Sequence, residues 1–197
     1  MLAIGPTDAL LIIDMQTDFL PGGALAVDGA DGLVPLINDL SRLPFGLVVA
    51  SQDWHPAGHV SFGEGPDKWP VHCVAGTAGA ELSPALDQAP IGLVLRKGMN
   101  PAIDSYSAFE DNDHQHRTGL AGLLRERGIA RVFIVGVALD YCVAHTARDA
   151  RRAGFDTVVL HDACRSALAA PDTVLAGLTA DGVTCMASTE LGTAPRR

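Results

Sequence analysis

The chain has 197 residues, 48% of them hydrophobic and 19% charged, which is enough for one domain with a well-formed core and too little for two of ordinary size. A formal charge of -9 argues against a nucleic-acid footprint, which needs clustered Lys and Arg. The first apolar run is ended by Asp14, well before a membrane could be crossed. Four widely spaced cysteines (Cys73, Cys142, Cys164, Cys185) include no CxxC pair; they signal neither a disulfide framework nor a thiolate zinc site, and they fit a reducing, cytoplasmic setting.

Residues 9–13 read as a first buried strand ending at Asp14. Leu33, Leu36, Ile37 and Leu40 recur at helical spacing within 29–43, as in an amphipathic helix packed on a sheet, and 47–50 is a second strand. From 52 to 84 the chain is rich in Gly, Pro and His and has little periodicity; a loop of that length in a compact domain is usually functional. A third strand over 91–95 runs into Lys97, and 98–117 is a polar loop holding Tyr106 and Phe109. A helix begins with Leu120, Leu123 and Leu124 and stops at Gly128. The run 132–135 is apolar without polar alternation, as in a strand covered on both faces. Gly136 stops it, and Asp140 is a good cap for a helix continuing through Ala144, Ala147 and Ala150. Cys142 is therefore expected near a helix N-terminus, where exposed N–H groups favour a thiolate; on this stretch alone, packing as a small buried hydrophobe accounts for it slightly better. A strand over 157–160, a helix over 172–179 and a last strand over 183–187 follow, and 193–197 reads as a frayed tail. The alternation predicts a single α/β domain with a mostly parallel central sheet of about six strands and helices on both faces.

Ligands of an open parallel sheet bind beyond the carboxyl ends of its strands. Just past four of the apolar runs lie Asp14, the pair Asp53 and His55, Lys97, and the turn of Cys142, so a carboxylate, a metal-type pair, a lysine and a cysteine converge on one edge. In extended chain, positions two apart point the same way, and Asp53 and His55 can face one ion. Pro56 and Gly58 disfavour a helix there, leaving His59 to reach the ion through a turn, and His72 has to return from the far end of the loop. A mixed Asp/His set suits zinc, iron or manganese without separating them. Phe19 is a candidate pocket wall, and Asp18 reads as structural. His114 and His116 fit a solvated loop, and His145 and His161 fit packing or surface positions.

The stretches Ile13-Asp14-Met15-Gln16-Thr17-Asp18-Phe19, Gln52-Asp53-Trp54-His55-Pro56, Trp69-Pro70-Val71-His72-Cys73, Asp104-Ser105-Tyr106-Ser107-Ala108-Phe109 and Gly136-Val137-Ala138-Leu139-Asp140-Tyr141-Cys142-Val143 together resemble the isochorismatase-like cysteine hydrolases, and within them the nicotinamidases (pyrazinamidases). The resemblance implies a catalytic triad of Asp14, Lys97 and Cys142 and a cis peptide between Val137 and Ala138. It implies one divalent metal on Asp53, His55 and His72, with His59 as a fourth ligand in some members, and an aromatic pocket of Phe19, Trp69 and Tyr106. The implied activity is metal-dependent hydrolysis of nicotinamide to nicotinate and ammonia in NAD salvage, through a Cys thioester, with pyrazinamide also accepted; backbone N–H groups of Ala138 and Cys142 would hold the oxyanion. The family often forms homo-oligomers. One position departs from its pattern: Leu139 stands where the family usually has Thr. Two other readings fit the residues, an amidohydrolase of the same superfamily acting on another small amide or carbamoyl compound, and a non-catalytic α/β binding protein.

Overall fold

Alternate residues of the second strand point to opposite faces and both faces are apolar, so the strand has to be covered twice. Leu10 and Ile12 join one buried cluster, and Ala9, Leu11 and Ile13 join another. A computed structural model, which describes residues 1–66 and 68–193, builds this arrangement from β1 (Leu2–Ile4), β2 (Asp8–Ile13), α1 (Val34–Ser41), β3 (Leu47–Asp53), β4 (Leu93–Lys97), α2 (Leu120–Glu126), β5 (Arg131–Val137), α3 (Ala144–Arg152), β6 (Asp156–Arg165), α4 (Pro171–Ala180), β7 (Thr184–Met186) and β8 (Leu191–Thr193). Six strands form one parallel sheet in the order β4-β3-β2-β5-β6-β7. Val34, Ile37 and Leu40 of α1 pack on one face. Leu120 and Leu124 of α2, Ala144, Ala147 and Ala150 of α3, and Leu178 of α4 pack on the other. The expected α/β class and the expected six strands are both present.

The boundaries move for identifiable reasons. Pro35 occupies the first turn of α1, where its missing N–H costs nothing, and the preceding residues form a separate short turn, Asp31–Leu33. The strand expected over 91–95 begins at Leu93 and includes Lys97, because it pairs in register with β3 as far as Asp53 opposite Lys97. The strand expected over 157–160 continues to Arg165 through an irregular register against β5. A two-stranded ribbon, β1 with β8, was not legible, since three residues show no period. The expected frayed tail over 193–197 lies, from 194 onward, outside the described residues.

The helix expected from a cap at Asp140 needs correction. Leu139–Val143 forms one wide turn in which the Val143 N–H donates to the Ala138 carbonyl at 3.1 Å, five residues back, and the regular helix starts only at Ala144. The Asp140 carboxylate caps nothing in its own helix. It accepts instead from the N–H groups of Ala167, Leu168 and Ala169, each at 2.8 Å.

Candidate active site

Because β4, β3, β2 and β5 are neighbours in that order, their carboxyl ends deliver Lys97, Asp53, Asp14 and the turn of Cys142 side by side. Gly136 makes the close approach of β2 and β5 possible: its φ is +112°, and a Cβ there would lie 2.1 Å from the Ile13 carbonyl oxygen. Asp14 itself has φ +49°, a left-handed conformation that Asp tolerates better than bulky residues. Its backbone N–H donates to Ser51 Oγ at 3.2 Å, and Ser51 Oγ donates to Asp14 Oδ1 at 2.7 Å. The peptide between Val137 and Ala138 is cis, as the resemblance implied.

Lys97 lies at the centre, 1% exposed. Its Nζ donates to Asp53 Oδ1 at 2.6 Å, to the Ser105 carbonyl at 3.1 Å and to Cys142 Sγ at 3.6 Å, and it lies 3.0 Å from Asp14 Oδ2. That last oxygen is buried and makes no aligned hydrogen bond. Carboxylate oxygens of Asp14 and Asp53 and the sulfur of Cys142 fall within 4.8 Å of one another. Two carboxylates thus share one ammonium, and burial and competition decide their protonation. Burial opposes charge on Asp53, but the short contact to Lys97 wins and holds its carboxyl below the ordinary value. Burial raises Asp14 and Asp53 adds to the rise, against Lys97 and Ser51. Burial also disfavours the Lys97 ammonium, yet Asp14 and Asp53 outweigh it and push its pKa up.

A helix N-terminus favours a thiolate, but the surroundings of Cys142 oppose one. Burial pushes the thiol well above its ordinary value, and Asp14 and Asp53 add to that against the opposing pull of Lys97. The physical reason is geometric: Cys142 lies inside the wide turn rather than at the open end of a regular helix, and it faces two carboxylates against a single ammonium. The surroundings of the sulfur thus favour the thiol form, with the Asp14 carboxylate beside it.

Next to this cluster, Asp53, His55 and His72 bring ligand atoms within 4.8 Å of one another. His55 Nδ1 donates to the Gly98 carbonyl at 2.9 Å, and His72 Nδ1 to the Pro70 carbonyl at 2.8 Å; a carbonyl can only accept, so both rings are left with Nε2 as the free ligand nitrogen. His55 Nε2 is 3.7 Å from Asp53 Oδ2, the carboxylate oxygen turned away from Lys97. Burial lowers His72, keeping its imidazole neutral, as metal binding requires. This donor set fits a divalent ion. Gly98 is needed here, since its φ is +66° and a Cβ would meet the His55 ring at 2.5 Å. His59 stacks on His55 with ring centroids 4.2 Å apart, but its Nε2 is engaged by the Ile103 carbonyl at 3.2 Å. It falls in a second grouping with His55 and Asp104, so the structure brings His72 to the Asp53 pair and leaves His59 one step away.

Phe19, Trp69, Tyr106 and Ala138 line one cleft of about 650 Å³, counting its space open to solvent, with Asp53, His55, His72 and Cys142 in its wall. An apolar cleft with a few convergent polar groups suits a small ligand. Trp69 Nε1 donates to Tyr106 Oη at 3.2 Å, and burial raises the Tyr106 phenol to about 12, so it stays protonated. Several contributors had no sequence signal of their own. Tyr141 packs edge-on against Trp69 and near Tyr106, and Ala167, Leu168 and Asp104 also face the cleft. Gln16 fixes β3 by accepting from the Asp53 N–H and donating to the Asp53 carbonyl, each at 2.8 Å. Asp18 is structural as expected, accepting from the Cys73 N–H at 2.7 Å. His114 and His116 are exposed and paired with Glu110 and Asp113. His145 packs against Tyr106. Leu139 is 1% exposed within the core cluster under α3, so its apolar side chain packs where a hydroxyl would need a partner.

Comparison with known proteins agrees with this layout. The family model described as the isochorismatase domain matches residues 8–190. A nicotinamidase from Acinetobacter baylyi is 49% identical over 174 residues, covering 80% of this chain and 81% of the relative. The crystal structure of PnC1 from L. infantum in complex with nicotinate superposes with a TM-score of 0.94 at 45% identity, over 98% of this chain and 99% of that one. The pyrazinamidase of Pyrococcus horikoshii in complex with zinc gives 0.82 at 37% identity, over 92% and 99%. With the family model spanning nearly the whole sheet and its carboxyl edge, the chain belongs to the isochorismatase family.

Proposed function

We propose that the chain is a metal-dependent nicotinamidase that hydrolyses nicotinamide to nicotinate and ammonia through a thioester on Cys142, and that it also accepts pyrazinamide. The observation that carries this reading is the buried Asp14 Oδ2, without an aligned hydrogen bond, in a cluster with the Cys142 sulfur and the Lys97 ammonium. A carboxylate with a raised pKa beside a thiol with a raised pKa is a base matched to its proton donor. Asp14 takes the thiol proton as Cys142 Sγ bonds to the carboxamide carbon. The N–H groups of Ala138 and Cys142 hold the oxyanion, in a site whose burial strengthens each dipole. As the oxyanion collapses, the C–N bond breaks, Asp14 returns the proton to nitrogen, and ammonia leaves a thioester. Water then attacks, giving a proton to Asp14. Collapse releases the acid and the sulfur regains that proton. Lys97 keeps the two carboxylates compatible throughout.

Phe19, Trp69 and Tyr106 pack the ring and set the carbonyl over the sulfur. A divalent ion (zinc, iron or manganese) held by Asp53, His55 and His72 would supply Lewis acidity toward the pyridine nitrogen. Support comes from the nicotinamidase and pyrazinamidase relatives. We also infer a cytoplasmic, homo-oligomeric enzyme in NAD salvage; its four cysteines are free thiols, and among the described residues no helix is long and apolar enough to cross a membrane. The test is ammonia release from nicotinamide by purified protein, before and after chelation and with zinc, iron or manganese restored. Metal-dependent release is expected. No release with the site demonstrably filled would overturn the substrate and turn attention to other small amides.

A further inference from the structure

Asp140 is drawn out of the turn that carries the nucleophile. Its Oδ1 accepts from the Ala167 N–H and its Oδ2 from the N–H groups of Leu168 and Ala169, all at 2.8 Å. Three consecutive N–H groups converging on one carboxylate form an anion-binding concavity filled from within the protein. The segment they belong to joins the end of β6 at Arg165 to the start of α4 at Pro171. Among the described residues nothing else bonds these three N–H groups. The same segment supplies Ala167 and Leu168 to the cleft that contains Cys142, and Leu168 is 74% exposed, an apolar side chain at the rim that core packing does not hold.

We propose that Asp140 is a positioning residue: by clamping the N–H groups of Ala167–Ala169 it fixes the rim of the cleft relative to the Cys142 turn, and so admits a single small ring while excluding larger ones. The inference rests on the nicotinamidase reading for its substrate but not for its geometry. A loop held only by one side chain opens locally when that side chain is lost, and a misplaced wall changes which ligand fits more than it changes the chemistry at sulfur.

The experiment compares wild type with Asp140→Ala, Asp140→Asn, Leu168→Ala and the double variant Asp140→Ala/Leu168→Ala, all metal-loaded. Amide hydrogen exchange over 166–170 reads the clamp directly. Rim selectivity is read twice: as kcat/KM for nicotinamide against its fused bicyclic analogue quinoline carboxamide, and as Cys142 alkylation by iodoacetamide against N-phenylmaleimide, followed on the Cys142 peptide. In Asp140→Ala, exchange over 166–170 is expected to rise and both preferences for the smaller reagent to fall about tenfold. Asp140→Asn, which keeps one acceptor, falls between. Leu168→Ala, with the clamp intact, lowers the preference without raising exchange, and the double variant falls no further than the larger single effect, because both act on one wall. Unchanged exchange in Asp140→Ala overturns the clamp. Equal slowing of small and large reagents overturns the positioning role in favour of a purely structural one. A wild type without nicotinamide turnover sinks the functional reading alone, since exchange and the alkylation ratio still decide the role of Asp140.

Discussion

Asp14, Lys97, Asp53 and Cys142 cannot be treated one at a time, because a single ammonium lies between two carboxylates and touches the sulfur. Cys142→Ala removes the proposed nucleophile without altering that charge balance. Ammonia release should fall by at least about 10⁴-fold, while metal stoichiometry and the urea midpoint stay near wild type; retained turnover would remove Cys142 from the mechanism. Lys97→Met is the opposite case. It leaves the Asp14 and Asp53 carboxylates buried and facing each other, and removing one partner of a buried ionic group typically costs roughly 3–5 kcal/mol. Urea denaturation should show a lower midpoint at an unchanged m-value, together with loss of turnover. A Lys97→Met protein as stable as wild type would mean that the carboxylates are solvated or protonated without it.

Elements, rather than single residues, explain what was legible in the sequence. The triad candidates could be read because each follows an apolar run, and a parallel sheet gathers strand ends on one edge. The Asp53 pair could be read because extended chain repeats every second residue. What could not be read depends on side chains reaching between elements. The Asp140 carboxylate crosses to the loop before α4, while an Asp just ahead of a helical run looks the same as an ordinary helix cap. The state of the Cys142 sulfur depends on whether its turn is regular or wide, and on how many carboxylates face it. Helix α3 adds a pH dependence of its own. His145 packs on the Tyr106 ring, and burial, aided by Arg148 and Lys97, lowers it from 6.5 to about 4. The unfolded chain therefore binds more protons than the folded one between these values, so stability is fully present above about pH 6.5 and declines as pH falls toward 4. Replacing His145 with Gln should flatten the thermal midpoint over that window relative to wild type. An identical slope in both proteins would assign the acid sensitivity elsewhere.

At the scale of the whole molecule, the long irregular stretch after β3 is the part least supported by regular structure, and the candidate metal donors lie at its start and along it. Asp53 ends β3, His55 stands two residues on, and His72 returns from the far side of the loop to meet them. An ion on these three residues closes the segment between His55 and His72 and ties it to the sheet. A group that binds the folded but not the unfolded chain stabilises by RT ln(1 + [L]/Kd), about 2.7 kcal/mol at 100 times Kd. A chain of this length shifts its midpoint by roughly 2–4 °C per kcal/mol. Chelation should therefore lower the thermal midpoint by about 5–10 °C, and stoichiometric zinc should restore it. His72→Ala should abolish the response to both treatments, because the loop would then lose its distant anchor while Asp53 and His55 keep their places on the strand end. A His72→Ala protein that still gained the full shift from zinc would move the ion to the neighbouring group of His55, His59 and Asp104, and His59→Ala in that background would then have to remove it.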